Sequence, residues 1–272
     1  MSYFLFELMG ADAMNPAVRA FVVGYTGETG KALVKSLAKD PRYASVKLIG
    51  RRKVELDYGV PLEKVTGKFS QQVIDFDHLE EHQLLFEDTD VGFCALGTTL
   101  AKSGAAEMRK IDHDYVVRVA ELAVASGCKE MHVVSSQHAN PRSSFFYIRL
   151  KGETEEDLKN KCIFPNYLAI YRPGVLMGPR QEHRLFESIA KLFLKPIAAL
   201  SPSLMTTPIN TLAQAMTNAP FSLRPVMREE ARKPGSTLEM DDLKAITVEN
   251  AMIFKLAAEP VPSLESAGGG AP

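Results

Sequence analysis

The sequence predicts an α/β fold, a doubly wound parallel sheet with helices on both faces and a small C-terminal cleft-forming region. Three observations carry this expectation. Up to about residue 175, short apolar, β-branched runs alternate with longer stretches of helical period. The strand-like runs, FVVG and VGFCAL among them, are continuously apolar, as strands buried on both faces are. The first of them leads directly into a turn with glycines at 24, 27 and 30, and then into a helical pattern.

In chain order the candidate strands are Arg19–Gly24, Val46–Ile49, Gln72–Phe76, Val91–Leu96, Glu130–Ser136 and Tyr167–Tyr171. Helical periodicity marks Glu28–Lys39, His78–Phe86, Ala105–Ser126 and Phe145–Asn160, then Leu185–Leu200 and Thr211–Asn218. Alternation of this kind implies right-handed βαβ crossovers. Leu56–Ser70, with two glycines and a proline, reads as a loop or a short irregular piece. Residues 200–236 carry Pro202, Pro208, Pro220, Pro225 and Pro234, which predicts irregular structure with one short helix. Ser236–Glu239 has capping-box spacing and opens a last helical pattern. The expected organisation is an N-terminal extension over 1–18, one nucleotide-binding domain over 19–258 with an irregular substrate-side region at 177–235, and a disordered tail over 259–272.

Composition narrows the function. The 272 residues are 46% hydrophobic and 24% charged with a formal net charge of −1, and no basic stripe points to nucleic acid. Cys94, Cys128 and Cys162 are far apart and lack C-x-x-C spacing, so neither a disulfide framework nor a zinc site is expected. His78 and His82 in DHLEEH read as a solvated helix face rather than metal ligands, and no metal is expected. His113 reads as a surface residue, and His138 as surface or pocket lining. No apolar run is long enough to span a bilayer. The apolar N-terminus has no basic n-region, so it reads as an extension rather than a signal peptide, and a cytosolic location is expected. Leu185–Leu200 is amphipathic and reads as core packing or a cleft wall.

The glycine turn has a chemical reading. Gly24 permits the sharp exit from the strand, Gly27 lets backbone approach a pyrophosphate, and Gly30 lets the new helix pack on the sheet. That helix aims free N–H groups at the phosphates, and Thr26 and Thr29 add hydroxyls. The arrangement is that of a Rossmann dinucleotide-binding unit. The second strand ends in Gly50-Arg51-Arg52-Lys53, where NAD-binding proteins place a carboxylate. Paired guanidiniums instead favour a 2′-phosphate, so the expected cofactor is NADPH or NADP. Asp75 and Phe76 are candidates for the adenine, although Asp75 also suits a helix N-cap. Leu96 and Gly97 would lie against the cofactor ribose, and the Pro173–Leu176 turn would close over the nicotinamide.

A proton-transfer set follows the fifth strand. Ser135 and Ser136 end it, and Tyr147 and Lys151 sit at i, i+4 on one helix face. A tyrosine of ordinary pKa, about 10, is a poor acid–base group near neutrality, and a lysine ammonium beside it favours the phenolate. Either serine can hold a substrate oxygen, and Ser136 is the preferred one. Ser136, Tyr147 and Lys151 are thus the candidate catalytic residues.

The motifs GYTGETG, LIGRR, VIDFD, VGFCALGTT, VSSQHA, FYIRLKGETE, YRPGVLMGPRQEHR and VENAMIF, spread from about residue 19 to 258, resemble the Tat-interacting-protein group of atypical short-chain dehydrogenases, the human metastasis-suppressor oxidoreductase family. The resemblance implies an NADPH-binding Rossmann fold with cofactor contacts at Thr26, Gly27, Glu28, Thr29, Arg51, Arg52, Leu96, Gly97, Tyr147, Lys151, Leu176 and Arg184. It implies a regulatory protein partner, by similarity to regulators that bind nuclear-import factors, and it includes a fungal mitochondrial outer-membrane branch, so the mitochondrial outer membrane and the nucleus are the alternatives to the cytosol. In one departure, Asp112 stands where many related dehydrogenases carry a catalytic asparagine. The expected activity is NADPH-dependent reduction of a small carbonyl or enone substrate. The alternatives are a cofactor-sensing binding protein and an epimerase or dehydratase with a tightly held cofactor.

Overall fold

The computed structural model describes residues 17–178, 206–232 and 245–261. Seven parallel strands form the main sheet: β1 (Val18–Val23), β2 (Tyr43–Gly50), β3 (Phe69–Val73), β4 (Val91–Cys94), β5 (Glu130–Val134), β6 (Tyr167–Arg172) and β9 (Ala245–Glu249). Their order is β3-β2-β1-β4-β5-β6-β9. A second, two-stranded sheet pairs β7 (Val175–Met177) with β8 (Thr206–Pro208).

The period of two along the strands sorts side chains onto two faces. Ala20 and Val22 of β1 join Val46 and Leu48 of β2 and Phe93 of β4 in one core. Helix α1 (Glu28–Lys39) covers this face with Leu33, Val34 and Leu37, joined by α5 (Ile209–Arg232) and α6 (Asn250–Ala257). Phe21, Val23, Ile49, Met131 and Val133 point the other way. There they meet α3 (Tyr115–Ala125) through Val116, Val119 and Ala120, and α4 (Phe146–Lys161) through Leu158. Each large side chain buried completely in these cores contributes roughly 1.5–3 kcal/mol. Helices therefore stand on both faces of a parallel sheet, as the continuous apolar strands require.

Several expectations are corrected. The third strand lies at Phe69–Val73, not Gln72–Phe76. It is the edge strand, with only partial burial, and the apolar residues that suggested the later placement, Ile74 and Phe76, are core residues beyond its end. Leu56–Ser70 is not all loop, since a short 3-10 turn, Leu62–Val65, and the start of β3 lie in it. His78–Phe86 belongs to a 3-10 segment, Phe76–Phe86, broken at His78 and His82. The helix expected at Ala105–Ser126 starts earlier as α2 (Leu100–Arg109), kinked at Gly104, and passes through a π turn, Lys110–Asp114, into α3.

The largest correction is α5. In place of one short helix, a single helix runs over 24 residues through Pro220 and Pro225. An interior proline costs about 3 kcal/mol, but Leu212, Ala215, Met216, Ala219 and Leu223 are buried with residues of α1 and α6 and offset that cost. Strands β7, β8 and β9 and helix α6 were not expected. The N-terminal extension up to residue 16, Arg184, Leu185–Leu200, Ser236–Glu239 and the tail from 262 lie outside the described residues.

On the α1 face, β5 places a histidine in the core. His132 is fully buried against the rings of Phe93, Tyr167 and Tyr171. Its Nδ1 lies 2.9 Å from the Tyr171 hydroxyl, and its Nε2 has no hydrogen-bond partner among the described residues. Burial lowers its pKa below the ordinary 6.5, with Glu130 opposing. The unfolded chain therefore binds a proton that the folded chain refuses, and stability falls as pH drops from about 6.5 toward the lower folded value. Melting temperatures at pH 7.5 and 5.5 should fall more for the wild type than for His132→Gln. Equal losses would rule out the buried imidazole as the cause.

Candidate active site

The predicted site residues follow the carboxyl ends of β1, β2, β4, β5 and β6, along one edge of the sheet. β1 and β4 are neighbours although β2 and β3 intervene in sequence, so the strand order reverses between them. Ligand crevices open at such a point. Here the two turns touch. Gly24 has φ +81°, and a Cβ on it would lie 2.5 Å from the Ala95 carbonyl carbon and oxygen. A Cβ on Gly30 would lie 2.2 Å from the Gly24 oxygen, whereas one on Gly27 would meet only that oxygen, at 3.5 Å. Gly27 is the N-cap of α1 and makes no side-chain cap bond. Gly24 and Gly30 are thus filled against by backbone, and the Gly27 side of the turn stays open.

Tyr25, inside this turn, was missed by the sequence reading. It is fully buried, and its one hydroxyl proton is shared between two acceptors, the Arg52 carbonyl at 2.7 Å and Gln71 Oε1 at 3.0 Å. Gln71 in turn brackets Val54, accepting from its N–H at 3.0 Å and donating to its carbonyl at 2.9 Å. The glycine turn and the backbone after β2 are therefore tied together, leaving the side chains of Arg51 and Arg52 exposed. Neither guanidinium forms an ion pair among the described residues. Thr26 and Thr29 lie in and just after the glycine turn. Glu28 pairs with Lys31 at 3.0 Å and lines a groove with Lys35, Asp57 and Gly178.

Asp75 is exposed and caps the following segment, accepting from the Asp77 N–H at 2.9 Å. The ring of Phe76 is spent in the core, 5.4 Å from that of Tyr115, which corrects the expectation that it flanks an adenine. Leu96 is half-buried and Gly97 exposed at the end of β4. Pro173 accepts from the Gln137 N–H at 2.9 Å, and the neighbouring Gly174 N–H donates to Thr207 Oγ1 at 2.9 Å, so this turn is pinned to both the β5 end and β8. Leu176 is half-buried in β7.

After β5 the two serines part company. Ser135 is buried and donates to Glu155 Oε1 at 2.5 Å. Glu155 also holds Arg172, with Arg172 Nη2 2.6 Å from its Oε2. Ser136 is half-buried, and its Oγ makes one long bond, 3.3 Å, to the Gln137 carbonyl. Ser135 is thus committed to the scaffold, and Ser136 keeps a hydroxyl to offer. Glu155 was not anticipated, because its partners are distant in sequence. His138, at φ 65°, is exposed on the turn that follows.

Tyr147 and Lys151 occupy the first two turns of α4. Tyr147 is 40% exposed, whereas Lys151 is 6% exposed. Lys151 Nζ lies 2.8 Å from Asp112 Oδ1, and Asp112 is itself buried. Burial alone would push this ammonium down. The attraction of Asp112, joined by Tyr147, a hydrogen bond to Asp112 and Cys94, outweighs it and holds Lys151 above the ordinary lysine value. The lysine is therefore a buried cation at neutral pH. The three cysteines are buried thiols, each pushed up to about 12 mainly by burial, and are not nucleophiles at neutral pH.

Comparison with known proteins bears on the family and the fold. Residues 19–125 match the family model of the semialdehyde dehydrogenase NAD-binding domain. The chain is 40% identical over 198 residues to Protein HTATIP2 of Rattus norvegicus, covering 73% of this chain and 79% of that protein. It is 32% identical over 184 residues to the mitochondrial protein fmp52 of Emericella nidulans, covering 67% and 77%. Among solved structures, MoeE5 in complex with UDP-glucose and NAD is similar with a TM-score of 0.59 at 15% identity, covering 85% of this chain and 75% of that one, which speaks for the fold. The expectation of a cytosolic location is overturned, because the fungal relatives, that of Saccharomyces cerevisiae included, are named mitochondrial. Lack of an export signal does not specify a compartment. No described helix is long and apolar enough to cross a membrane.

The glycine geometry yields a test. Gly30→Ala should cost about 2–4 kcal/mol in urea unfolding, because backbone must move, and Gly27→Ala less than about 1 kcal/mol. Equal costs would mean that the close approach at Gly30 is not what fixes the turn.

Proposed function

Since this chain belongs to the HTATIP2 family of atypical short-chain dehydrogenases, we propose that it is an NADPH-dependent oxidoreductase that reduces a carbonyl or enone, with Ser136, Tyr147 and Lys151 as its proton-transfer set. The observation that carries this reading is the pairing on α4 of an accessible phenol with a buried lysine ammonium one turn away, tied through Asp112 to the turn after β4. A solvated helix surface has no reason to bury a lysine and supply it with a buried carboxylate.

The residues present fit the cofactor. The open Gly27 side and the uncapped first turn of α1 suit a pyrophosphate, with Thr26, Thr29 and the backbone of Glu28 around it. Arg51 and Arg52 suit the 2′-phosphate. Asp75 retains a carboxylate oxygen for the adenine edge, and Leu96, Gly97 and Leu176 border the crevice. When bound, the nicotinamide supplies the hydride. Ser136 Oγ holds the substrate oxygen. The Tyr147 hydroxyl gives that oxygen its proton, and Lys151 keeps a positive charge behind the phenol and bonds the ribose hydroxyls.

The measurement is NADPH consumption across a panel of aldehydes, ketones and enones. Tyr147→Phe should lower turnover by roughly a hundredfold or more while calorimetric NADPH affinity stays within about threefold. Replacing Arg51 and Arg52 by alanine should weaken NADPH by about ten- to a hundredfold, as loss of charge-assisted bonds does, and leave NADH affinity unchanged. Undiminished turnover in Tyr147→Phe would refute the catalytic assignment, and biological activity that survives Tyr147→Phe but is abolished by the Arg51 and Arg52 substitutions would favour a cofactor-sensing protein. Equal loss of NADH and NADPH affinity would refute the 2′-phosphate assignment.

A further inference from the structure

Asp112 sits in the π turn between α2 and α3, a helical irregularity that often marks functional positions. It is 1% exposed, and both carboxylate oxygens are used. Oδ1 faces Lys151 Nζ at 2.8 Å, and Oδ2 accepts the Thr98 N–H at 2.8 Å. Its backbone carbonyl lies 3.2 Å from Thr154 Oγ1, whose one proton is shared with the nearer Leu150 carbonyl at 2.8 Å on the same helix as Lys151. Thr98 follows Gly97, in the turn that leaves β4. One side chain therefore joins three elements: the π turn, α4 and the β4 exit.

The chemistry of the two contacts asks for a carboxylate. An ammonium and an amide N–H are both donors, so the residue between them must present two acceptors. Asparagine offers one acceptor and a donor, and in either orientation it turns the NH2 toward one of them. The other groups around Lys151 do not duplicate Asp112. Tyr147 lies on α4 itself, and Cys94 at the end of β4 is a buried thiol. Glu155 lines the same small cavity as Lys151 and Asp112, but its carboxylate is held by Arg172 and Ser135.

We propose that Asp112 is a positioning residue whose single carboxylate ties Lys151 to the Thr98 amide, so that the lysine behind the phenol and the turn flooring the coenzyme crevice are held at one fixed spacing. This deepens the oxidoreductase reading and rests on it for its catalytic meaning. Disturbing the carboxylate perturbs the lysine and the coenzyme site together.

The test uses Asp112→Asn in the cofactor-free full chain, with the side-chain amine of Lys151 followed by 15N NMR of lysine-labelled protein and assigned by its loss in Lys151→Arg. The midpoint of the Lys151 titration should fall by about one pH unit or more, since burial then acts without its counter-charge. Calorimetric NADPH affinity should weaken roughly three- to tenfold. An unchanged midpoint, or a shifted midpoint with unchanged NADPH affinity, overturns the proposal. If the wild type itself binds no NADPH while the midpoint still shifts, the coenzyme reading is what fails, and the tie to Lys151 stands. Should Asp112→Asn not fold, Lys151→Met and the double variant Lys151→Met/Asp112→Asn replace it. Lys151→Met strands a buried carboxylate and should melt lower than wild type, and the double variant should melt higher than Lys151→Met. Additive losses overturn the proposal.

Discussion

The site depends on one backbone contact, the turn after β1 lying against the turn after β4, with Gly24 at the Ala95 carbonyl. No side chain fits between them. Because β1 and β4 are adjacent in the sheet but distant in sequence, their crossovers leave on opposite faces, α1 on one side and the chain to α3 on the other. Between the exits the chain reverses strand order, with the first turn of α1 on one side and Gly97 and Thr98 on the other. Widening that contact would move the first turn of α1 away from Gly97 and Thr98, and the crevice would lose its two walls together.

How much of this was legible in the sequence depends on whether the constraint is local. Backbone demands are written into residue type. A close approach requires glycine, so Gly24 and Gly30 could be read directly, and a strand buried on both faces must be continuously apolar, so β1 and β4 could be read too. The edge strand β3 failed that test because it has solvent beside it, and its apolar residues belong to the core past its end. Helix α5 was hidden for the opposite reason. Its prolines argue against a helix, and the argument is overruled by packing on α1 and α6, which no local pattern records. Strand β9 pairs with β6 from far along the chain and is short and only partly buried.

The same division holds within the site. Tyr147 and Lys151 announce themselves by one-turn spacing. Their depth does not, and neither do the partners that set it. Asp112 could be noted only as standing where related dehydrogenases carry an asparagine, and its meeting with Lys151 is a tertiary fact. Glu155 likewise acquires meaning only through Ser135 and Arg172. Tyr25 carries no signal of its own inside the glycine turn, yet its hydroxyl holds the backbone of Arg52. Sequence named the groups that would touch ligands more readily than the groups that hold them, because ligand chemistry restricts residue type and support can come from any element within reach.

The difference in depth along α4 has a consequence of its own. The first turn keeps Tyr147 at the surface, and the next carries Lys151 into the interior, where its field is least screened by water. An isolated ammonium at that depth would be driven to shed its proton, and with it the charge that makes it useful. Asp112 prevents this. The lysine stays charged because a carboxylate is already buried beside it, and the pair together carries no net charge into the core. The cost of the arrangement is that part of the lysine's field is spent on Asp112. A buried pair of this kind therefore trades strength of field for constancy of charge, and the accessible phenol beside it works against a lysine that does not titrate over the physiological range.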